Sequence, residues 1–552
     1  MKLTRYLFSL AVIALLTANL APAIAQSSIP AGSVRIHYHR NNADYAGWTI
    51  FDWTGALHPS PSYQDPGTPP PVSDDFGVYW DIALVPGATQ LFFIVRNADG
   101  SVKNCQSDMI LDISKGPEIW LLQNDCTLYT TKPRTDLVGN IKAARAYWVN
   151  RDTLAWFGAE PNDTYRLFYS PDAGIIDIAT SGAEGDGKSI PLIVDPNGLS
   201  QTVIEKFPFL NGATALKIAP SQLGQIPSLL KDQLVLVKFT GAQPADATSL
   251  QLPGVLDDLF YFDGRLGAHF ADGAVRFRLW APTAQKVRLF VYDSPNGTVP
   301  TIYPMTQEEL GVWETKAGDD SWVNHKYYLY EVTVFSRAEG LVVTNVVTDP
   351  YSLGLAADSV KSLVVDLDSP STKPLFWNLI PKPPLDSPTD IVLYELHIRD
   401  FSISDTSVPD KDRGKYTAFT HIFSLGMRHL RSLAKAGLTH VHLLPSFDFS
   451  SVPELASEQK TPDITLPISA PDSPQPQAAI TAVKDQDGFN WGYDPYHYGT
   501  PEGSYSTDAN GIKRIREFRE MVESLHSIGL RMVMDVVYNH TFRRWAGSNV
   551  RP

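Results

Sequence analysis

The sequence predicts a multidomain protein in which all-β sandwich modules come first and a parallel α/β domain follows. The first observation is length, because 552 residues exceed the ~100 to 200 residues of one typical domain. The second is composition, because 42 Pro and 37 Gly indicate many turns and argue against a helical bundle. The third is a change after Asp390 from short alternating runs to a repeated strand and helix pattern.

The charge balance excludes one class of partner. Lys and Arg number 46 against 60 Asp and Glu, which leaves a formal net charge of −14. Binding to a phosphate backbone depends on basic side chains that displace counterions. We therefore expect no nucleic-acid partner.

The first 25 residues have the pattern of a secretory signal peptide. Lys2 and Arg5 precede an apolar run at residues 7–20, and Ala23 and Ala25 are small residues at the positions that cleavage requires. We expect cleavage before Gln26 and a secreted or periplasmic protein. The apolar run is short and interrupted, and no later stretch is longer, so we expect no membrane span in the mature chain.

The two cysteines allow two interpretations. Cys105 and Cys126 are 21 positions apart, and an oxidising compartment would let them pair, with a stabilisation of roughly 3 kcal/mol if the bridge is unstrained. The alternative is two separate buried thiols. The predicted export favours the disulfide over that alternative.

Three β modules are predicted before the α/β domain. In the first, residues 33–39 alternate, and residues 91–95 and 118–122 are apolar runs of strand length. In the third, Val275, Phe277 and Leu279 alternate with arginines. The modules are placed at residues 33–133, 141–239 and 252–367.

The α/β domain is predicted from residue 390 to residue 552. Strands begin at Ile391, Thr439 and Leu530, and helices at residues 421–436 and 512–525 lie between them. Gly437 and Gly529 mark the helix ends. Residues 446–488, which are rich in Pro, Ser and Gln, are expected to form a mobile surface insertion.

Two strings carry the chemistry. Residues 489–495 read Phe-Asn-Trp-Gly-Tyr-Asp-Pro, which places exposed aromatic rings in a turn-rich loop, where they could stack on the flat apolar face of a sugar. Residues 535–540 read Asp-Val-Val-Tyr-Asn-His and follow a predicted parallel strand, where α/β barrels place their sites. A single aromatic residue or a single histidine at such places would more often be structural.

These strings resemble known signatures. Residues 489–495 are similar to the heptapeptide of type I pullulanases, usually written with Tyr first, and residues 535–540 to the first motif of the α-amylase superfamily, glycoside hydrolase family 13. Upstream, the three modules resemble a family 41 starch-binding module, a pullulanase accessory β domain and a family 48 module, in that order. The resemblance covers nearly all of residues 33–541, and it implies that residues 390–552 form an incomplete (β/α)8 barrel with about three strands.

The resemblance implies a secreted enzyme that hydrolyses α-1,6-glucosidic linkages, with pullulan, amylopectin or glycogen as partners. Tyr493 would stack on the sugar beside the scissile bond, and Asp494 would shape that subsite. His540 would bind the hydroxyls of the same sugar, and Asp535 would support the centre through polar contacts. Asn539 stands where many relatives bind calcium, and no organic cofactor is implied. We expect Tyr493 and His540 to share one hollow.

For the starch-binding module, the resemblance points to Trp48, Trp53, Lys103 and Asp108. The two tryptophans are five positions apart, which places them on opposite faces of an ideal strand. Either a bulge brings both rings into the site, or one of them is a core residue.

The resemblance also implies that the catalytic carboxylates are missing. Retaining glycosidases use two carboxylates about 5 to 5.5 Å apart, and in this superfamily the nucleophilic Asp and the acid/base Glu follow the fourth and fifth strands. Both are expected beyond Pro552, so the sequence predicts a truncated and inactive catalytic domain. The tail at residues 542–552 departs from the family, and back-translation with permitted codons and one nucleotide of slippage can give a family-like reading. Our hypothesis is a frameshift in the gene or in its sequencing, which the DNA sequence would decide.

Two alternatives remain open. One is a secreted protein that binds α-glucans without catalysis, through Trp48, Trp53 and their neighbours. The other, within the enzyme class, is an isoamylase or branching-enzyme relative, which the heptapeptide and the family 41-like module disfavour.

Overall fold

A computed structural model describes residues 28–41, 43–59, 61–62, 64–70, 72–463 and 472–542. The predicted leader at residues 1–25 and the tail at residues 543–552 lie outside the described residues. Upstream of residue 390 the described chain is mostly β-sheet, as the sequence predicts.

The first unit consists of two sheets that face each other across one apolar core. The sheets have strand orders β3-β4-β1-β7 and β2-β5-β6, and β1 pairs with β7 in parallel and with β4 antiparallel. Val34 and Ile36 of one sheet meet Leu91 and Phe93 of the other in the core. The strands are β1 (Ser33–His39), β2 (Trp48–Asp52), β3 (Val72–Ser73), β4 (Val78–Ala83), β5 (Gln90–Asn97), β6 (Met109–Asp112) and β7 (Glu118–Leu122).

The second unit is built on one eight-stranded sheet with the order β16-β15-β10-β13-β14-β9-β8-β17. It continues past residue 239 through two further strands and the helix α3, which packs against the core of this unit. The elements are β8 (Ala146–Asn150), β9 (Thr153–Trp156), β10 (Thr164–Ser170), β11 (Ile175–Ala179), β12 (Gly182–Gly185), β13 (Lys188–Val194), α1 (Gln201–Lys206), β14 (Thr214–Ile218), α2 (Ile226–Leu229), β15 (Gln233–Thr240), β16 (Gln243–Thr248), β17 (Leu250–Gln251) and α3 (Pro253–Phe260).

The third unit again packs two antiparallel sheets, with strand orders β18-β19-β23-β22 and β21-β20-β24-β25, and β26 pairs with β24. Val275, Phe277 and Leu279 of β19 are buried, which accounts for their alternation with arginines. The strands are β18 (Gly267–Ala271), β19 (Ala274–Trp280), β20 (Ala284–Tyr292), β21 (Thr301–Pro304), β22 (Thr306–Gln307), β23 (Val312–Ala317), β24 (Tyr327–Ser336), β25 (Leu341–Val347) and β26 (Ser362–Leu363).

The fourth unit contains a three-stranded parallel sheet of order β27-β28-β31 and a small antiparallel pair, β29 with β30. Ser424 caps α5 by accepting a hydrogen bond from the amide of Met427, and Gly437 ends it with φ +110°. The elements are β27 (Leu393–Leu396), α4 (Ile398–Ser402), α5 (Leu425–Lys435), β28 (His440–Leu443), β29 (Phe447–Phe449), α6 (Gln475–Thr481), β30 (Pro495–Pro501), α7 (Lys513–Ser527) and β31 (Arg531–Met534).

The third and fourth units share an apolar cluster. Ile515 of α7 packs with Tyr292, Tyr327 and Leu363 of the third unit. The parallel sheet is thereby fixed against a β-sandwich. Within the described residues, no helix combines the length and the apolar composition that crossing a membrane requires.

Candidate functional site

The three parallel strands end at one edge of their sheet. Leu396, Leu443 and Met534 are aligned by the pairing register, so the residues that follow them emerge side by side. The amide of Asp535 still donates to the carbonyl of Leu443 at 3.0 Å, which ties the start of the 535–540 segment to this edge. Parallel sheets place their ligand sites at this edge. We call residues 489–495, which run across this edge, the aromatic loop.

The end of β27 holds the first part of the aromatic loop. Nε2 of His397 donates to the carbonyl oxygen of Asn490 at 2.9 Å, and the His397 ring lies 5.3 Å from that of Phe489. The side-chain oxygen of Asn490 in turn accepts from the amide of Gly492 at 2.7 Å. These contacts fix the turn that precedes Tyr493.

The segment after β28 holds the middle of the loop. Gly492 has φ +86°, and a Cβ there would lie 2.8 Å from Cβ of Pro445, so only glycine fits. The amide of Ser450 donates to the carbonyl of Asp494 at 3.2 Å, and the Ser451 hydroxyl donates to its carboxylate. Burial raises the pKa of Asp494 to about 6. Its buried Oδ1 has no hydrogen-bond partner among the described residues.

The end of β31 holds the last part of the loop. The Tyr493 hydroxyl donates to Oδ2 of Asp535 at 2.6 Å, and this hydrogen bond raises the pKa of Tyr493 to about 12. Nε2 of His540 donates to the carbonyl of Tyr493 at 2.9 Å. The structure therefore brings Tyr493, Asp535 and His540 together at the sheet edge. Asp494 follows Tyr493 in the same loop and is held by Ser450 and Ser451.

Aromatic rings are exposed around these contacts. Trp491 is 61% exposed, Tyr538 is 73% exposed and Tyr493 is 37% exposed. The Tyr538 ring lies 5.1 Å from that of Tyr498, whose hydroxyl donates to the carbonyl of His540 at 2.9 Å. Exposed rings beside polar groups can stack on a sugar face while neighbouring side chains bind its hydroxyls.

For Asn539, calcium binding stays a prediction. Its side-chain oxygen is 3.0 Å from Nδ1 of His540, and it contributes a single oxygen where calcium takes six to eight. The described part of the chain gathers no group of three acidic or histidine side chains around it.

Such a group occurs instead in the interior. Oxygens of Asp448, Glu454 and Glu502 approach within 4.8 Å of one another, and all three side chains are buried. The guanidinium of Arg514 lies among them, 2.7 Å from Glu454 and 3.4 Å from Asp448. Burial raises the pKa of Glu454 to about 7 and that of Glu502 well above its ordinary value. Since Arg514 already occupies the group, we assign it to structure.

Sequence reasoning missed several residues of the sheet edge, which are His397, Ser451, Tyr498 and Tyr538. The rule that pointed to Asp535, a polar residue directly after a parallel strand, applies equally to His397 after β27. Ser451 gave no signal, because its role depends on a hydrogen bond across the fold to Asp494.

The first unit separates the two tryptophans. No register shift interrupts the pairing of β2 with β5, so Trp48 and Trp53 lie on opposite faces. Trp48 packs against the core cluster, with Arg40 stacked on its ring at 4.1 Å. Trp53 contacts the rings of Phe51 and Phe92 on the outer face. The bulge that would place both rings in one site is absent from this described strand pair.

Lys103 and Asp108 lie near the outer face. Lys103 forms a β-bridge with Arg96, and exposed Asp108 immediately precedes Met109, which pairs with Phe93. Cys105 and Cys126 form a disulfide between these segments and the end of the module. Of the four residues named for the module, three are therefore compatible with one surface and Trp48 is not.

Comparison with known families gives three matches along the chain. The bacterial pullanase-associated domain matches residues 32–130, the pullulanase N2 domain matches residues 143–258, and carbohydrate-binding module 48 (isoamylase N-terminal domain) matches residues 265–352. The matches follow the order of the first three units.

Relatives extend the similarity into the fourth unit. Pullulanase 1, chloroplastic, of Arabidopsis thaliana is 41% identical over 75% of this chain and 43% of its own length. The pullulanase of Klebsiella pneumoniae is 33% identical over 90% of this chain and 49% of its own length. The chain thus spans about half the length of these curated relatives.

Two solved structures are similar to nearly the whole chain. Ligand-free PulA from Klebsiella pneumoniae superposes with a TM-score of 0.80 at 31% identity, over 97% of this chain and 55% of that one. Klebsiella pneumoniae pullulanase complexed with maltotriose gives a TM-score of 0.71 at 31% identity, with the same two shares.

Proposed function

Over the part of its relatives that it spans, the chain is a type I pullulanase-like protein, and on that premise we propose that its aromatic loop and strand ends bind α-glucans. The observation that carries the proposal is the pair of contacts at Tyr493, whose hydroxyl meets Asp535 at 2.6 Å and whose carbonyl meets His540 at 2.9 Å. They hold an exposed ring beside polar side chains.

The role of each residue in the proposed site follows from the chemistry of its side chain. The half-exposed ring of Tyr493 stacks on the apolar face of a glucose unit, and exposed Trp491 extends the platform. His540 binds hydroxyl groups at the rim, and Asp494, whose buried Oδ1 has no hydrogen-bond partner among the described residues, shapes the subsite next to Tyr493. The raised pKa of Asp494 favours a shared or donated proton below about pH 6. Asp535 orients the ring through its hydroxyl.

We propose further that β27, β28 and β31 are the first three strands of a (β/α)8 barrel that cleaves α-1,6-glucosidic bonds. The retaining mechanism needs two carboxylates about 5 to 5.5 Å apart, which the family supplies after its fourth and fifth strands. The described sheet has three strands. We therefore expect this polypeptide to bind pullulan without releasing reducing sugar from it.

Titration with maltotriose tests the proposed site, because a related pullulanase was solved with that sugar. The titration uses chains that also carry Trp53→Ala, so that the first unit does not contribute. Tyr493→Ala should weaken the affinity at least about tenfold, since stacking and the fixed loop are both lost. Tyr261→Ala, at a tyrosine that is 72% exposed and lies far along the chain, is the control and should change nothing. Equal affinities for the two variants would reject the site.

The second glucan-binding surface in the proposal is the outer face of the first unit. Pull-down on insoluble starch should lose most of the protein with Trp53→Ala, because its ring lies on the outer face with Phe92. Trp48→Ala is the matched control, and a folded variant should still bind, because its ring packs on the core. Retention of Trp53→Ala together with loss of folded Trp48→Ala would reverse the assignment.

Export is part of the same proposal. The disulfide between Cys105 and Cys126 is a bond that oxidising compartments maintain, which supports a secreted or periplasmic protein. A mature amino terminus at Gln26, read by mass spectrometry, is the expected observation.

A further inference from the structure

His397 makes contacts that the proposed function does not use. It follows β27 directly and is the N-cap of α4, and the residue is 9% exposed although its side chain carries two polar nitrogens. A buried histidine of this kind needs both nitrogens satisfied. The partners of its two nitrogens therefore show what the side chain holds in place.

The hydrogen bonds fix its tautomer. Nδ1 accepts from the amide of Asp400 at 3.2 Å, so the proton of the neutral ring lies on Nε2. Nε2 donates to the carbonyl of Asn490 at 2.9 Å, and the Tyr505 hydroxyl lies 3.1 Å from the same nitrogen. One nitrogen thus caps a helix, and the other holds the aromatic loop.

The ring also packs on the loop. Its centroid lies 5.3 Å from that of Phe489 and 5.8 Å from that of Tyr505. The guanidinium of Arg399, two residues along α4, lies 5.9 Å over the Phe489 ring. His397 and Arg399, at the start of α4, therefore hold the first two residues of the aromatic loop, Phe489 and Asn490.

One short turn joins the residues held by α4 to Trp491 and Tyr493. Asn490 accepts from the amide of Gly492, and Tyr493 follows directly. We propose that His397 is a positioning residue that, through the carbonyl of Asn490, sets the presentation of Trp491 and Tyr493 to an α-glucan. The link to sugar rests on the proposed function, whereas the link to loop order does not.

A pair of substitutions separates the two nitrogens. His397→Gln places an amide nitrogen near the position of Nε2, so it can still donate to Asn490, but it loses the acceptor for Asp400. His397→Asn places its amide oxygen near the position of Nδ1, so it still caps α4, but it loses the donor to Asn490. Both variants remove the ring, so a difference between them reports the hydrogen bond.

Two measurements read the outcome, both on the full chain carrying Trp53→Ala. Hydrogen exchange of the amides at residues 489–493 should quicken severalfold in His397→Asn and stay close to the parent in His397→Gln. Maltotriose affinity should fall about five- to tenfold in His397→Asn and less than about threefold in His397→Gln.

The two measurements distinguish a positioning role of His397 from a role in packing alone. Equal changes in the two variants, or unchanged exchange in His397→Asn, would overturn the positioning role and assign His397 to packing alone. Faster exchange in His397→Asn, together with no maltotriose binding even by the parent, would keep the positioning role and reject the sugar site.

Discussion

At the scale of single residues, the shape of the aromatic loop depends on Gly492. Its backbone is in the left-handed region with φ +86°, and the side chain of Pro445 fills the space where a Cβ would stand. The same residue donates the amide that closes the turn with Asn490. The conformation and the close approach both exclude any other residue.

Gly492→Ala should destabilise the fourth unit by about 2 to 3 kcal/mol, because the backbone strain adds to a contact with Pro445. Gly437→Ala is a matched control, since φ is +110° there and nothing lies within 4 Å of the added methyl. The control should cost about 1 kcal/mol. Urea unfolding measures both, and equal losses would show that crowding at Pro445 contributes nothing.

The sequence predicted some residues of the candidate site and missed others. The heptapeptide and the strand-end motif pointed to Tyr493, Asp535 and His540, and these residues lie in contact. Ser451 was missed because a single polar residue carries no pattern until the chain folds around it, whereas the strand-end rule could have found His397 directly after β27. The spacing of Trp48 and Trp53 already indicated opposite faces, and the regular pairing of β2 leaves them there.

At the scale of elements, α7 is the helix that fixes the parallel sheet to the third unit. Ile515 faces the third unit, whereas Met521 and Leu525 face the core of the fourth. Arg514, with its side chain fully buried, donates to Glu454 and also to the carbonyl of Ala509. A buried cation in this position neutralises carboxylates that the packing brings together.

Arg514→Met should destabilise the chain by about 3 to 5 kcal/mol, because Asp448 and Glu454 would lose their buried counter-charge. Arg516→Met is the control on the same helix, since the one ion pair of half-exposed Arg516 among the described residues is with Glu520 one turn away, and it should cost less than about 0.5 kcal/mol. Thermal unfolding compares the two. Equal losses would mean that the buried group is held together without Arg514.

The elements of the parallel domain were largely predictable, with one exception. The strands predicted to begin at Ile391 and Thr439 overlap β27 and β28, and the helices predicted at 421–436 and 512–525 overlap α5 and α7. The expected surface insertion was wrong at its start, because Phe447, Asp448 and Phe449 are buried and pair with β30. Because residues 446–488 are rich in Pro and Ser, the sequence did not indicate these three strand residues, whose partners lie about 50 positions later in the chain.

At the scale of the whole molecule, the third and fourth units are joined by polar as well as apolar contacts. His497 contacts Thr348 of the third unit at 2.8 Å through Nε2 and Asp448 at 2.7 Å through Nδ1. The Ser359 hydroxyl reaches the same carboxylate at 2.8 Å. The sheet edge that carries the aromatic loop is therefore supported by a neighbouring β-sandwich.

The order of three β units before a parallel domain was predictable from periodicity, whereas the joints between units were not. Hydrophobic alternation marks strands within a unit, but the partners of Thr348 and Ser359 lie about 90 to 150 positions away. Contacts of that range depend on the assembled fold and have no local signature.

The central claim is that the aromatic loop and the end of β31 form one α-glucan site, and hydrogen exchange with maltotriose tests it most directly. Using the Trp53→Ala chain, saturating sugar should slow exchange in residues 489–493 and in residues 535–540 together, and leave β21 unchanged. Protection of only one of the two segments, or none while the sugar is bound, would contradict the account.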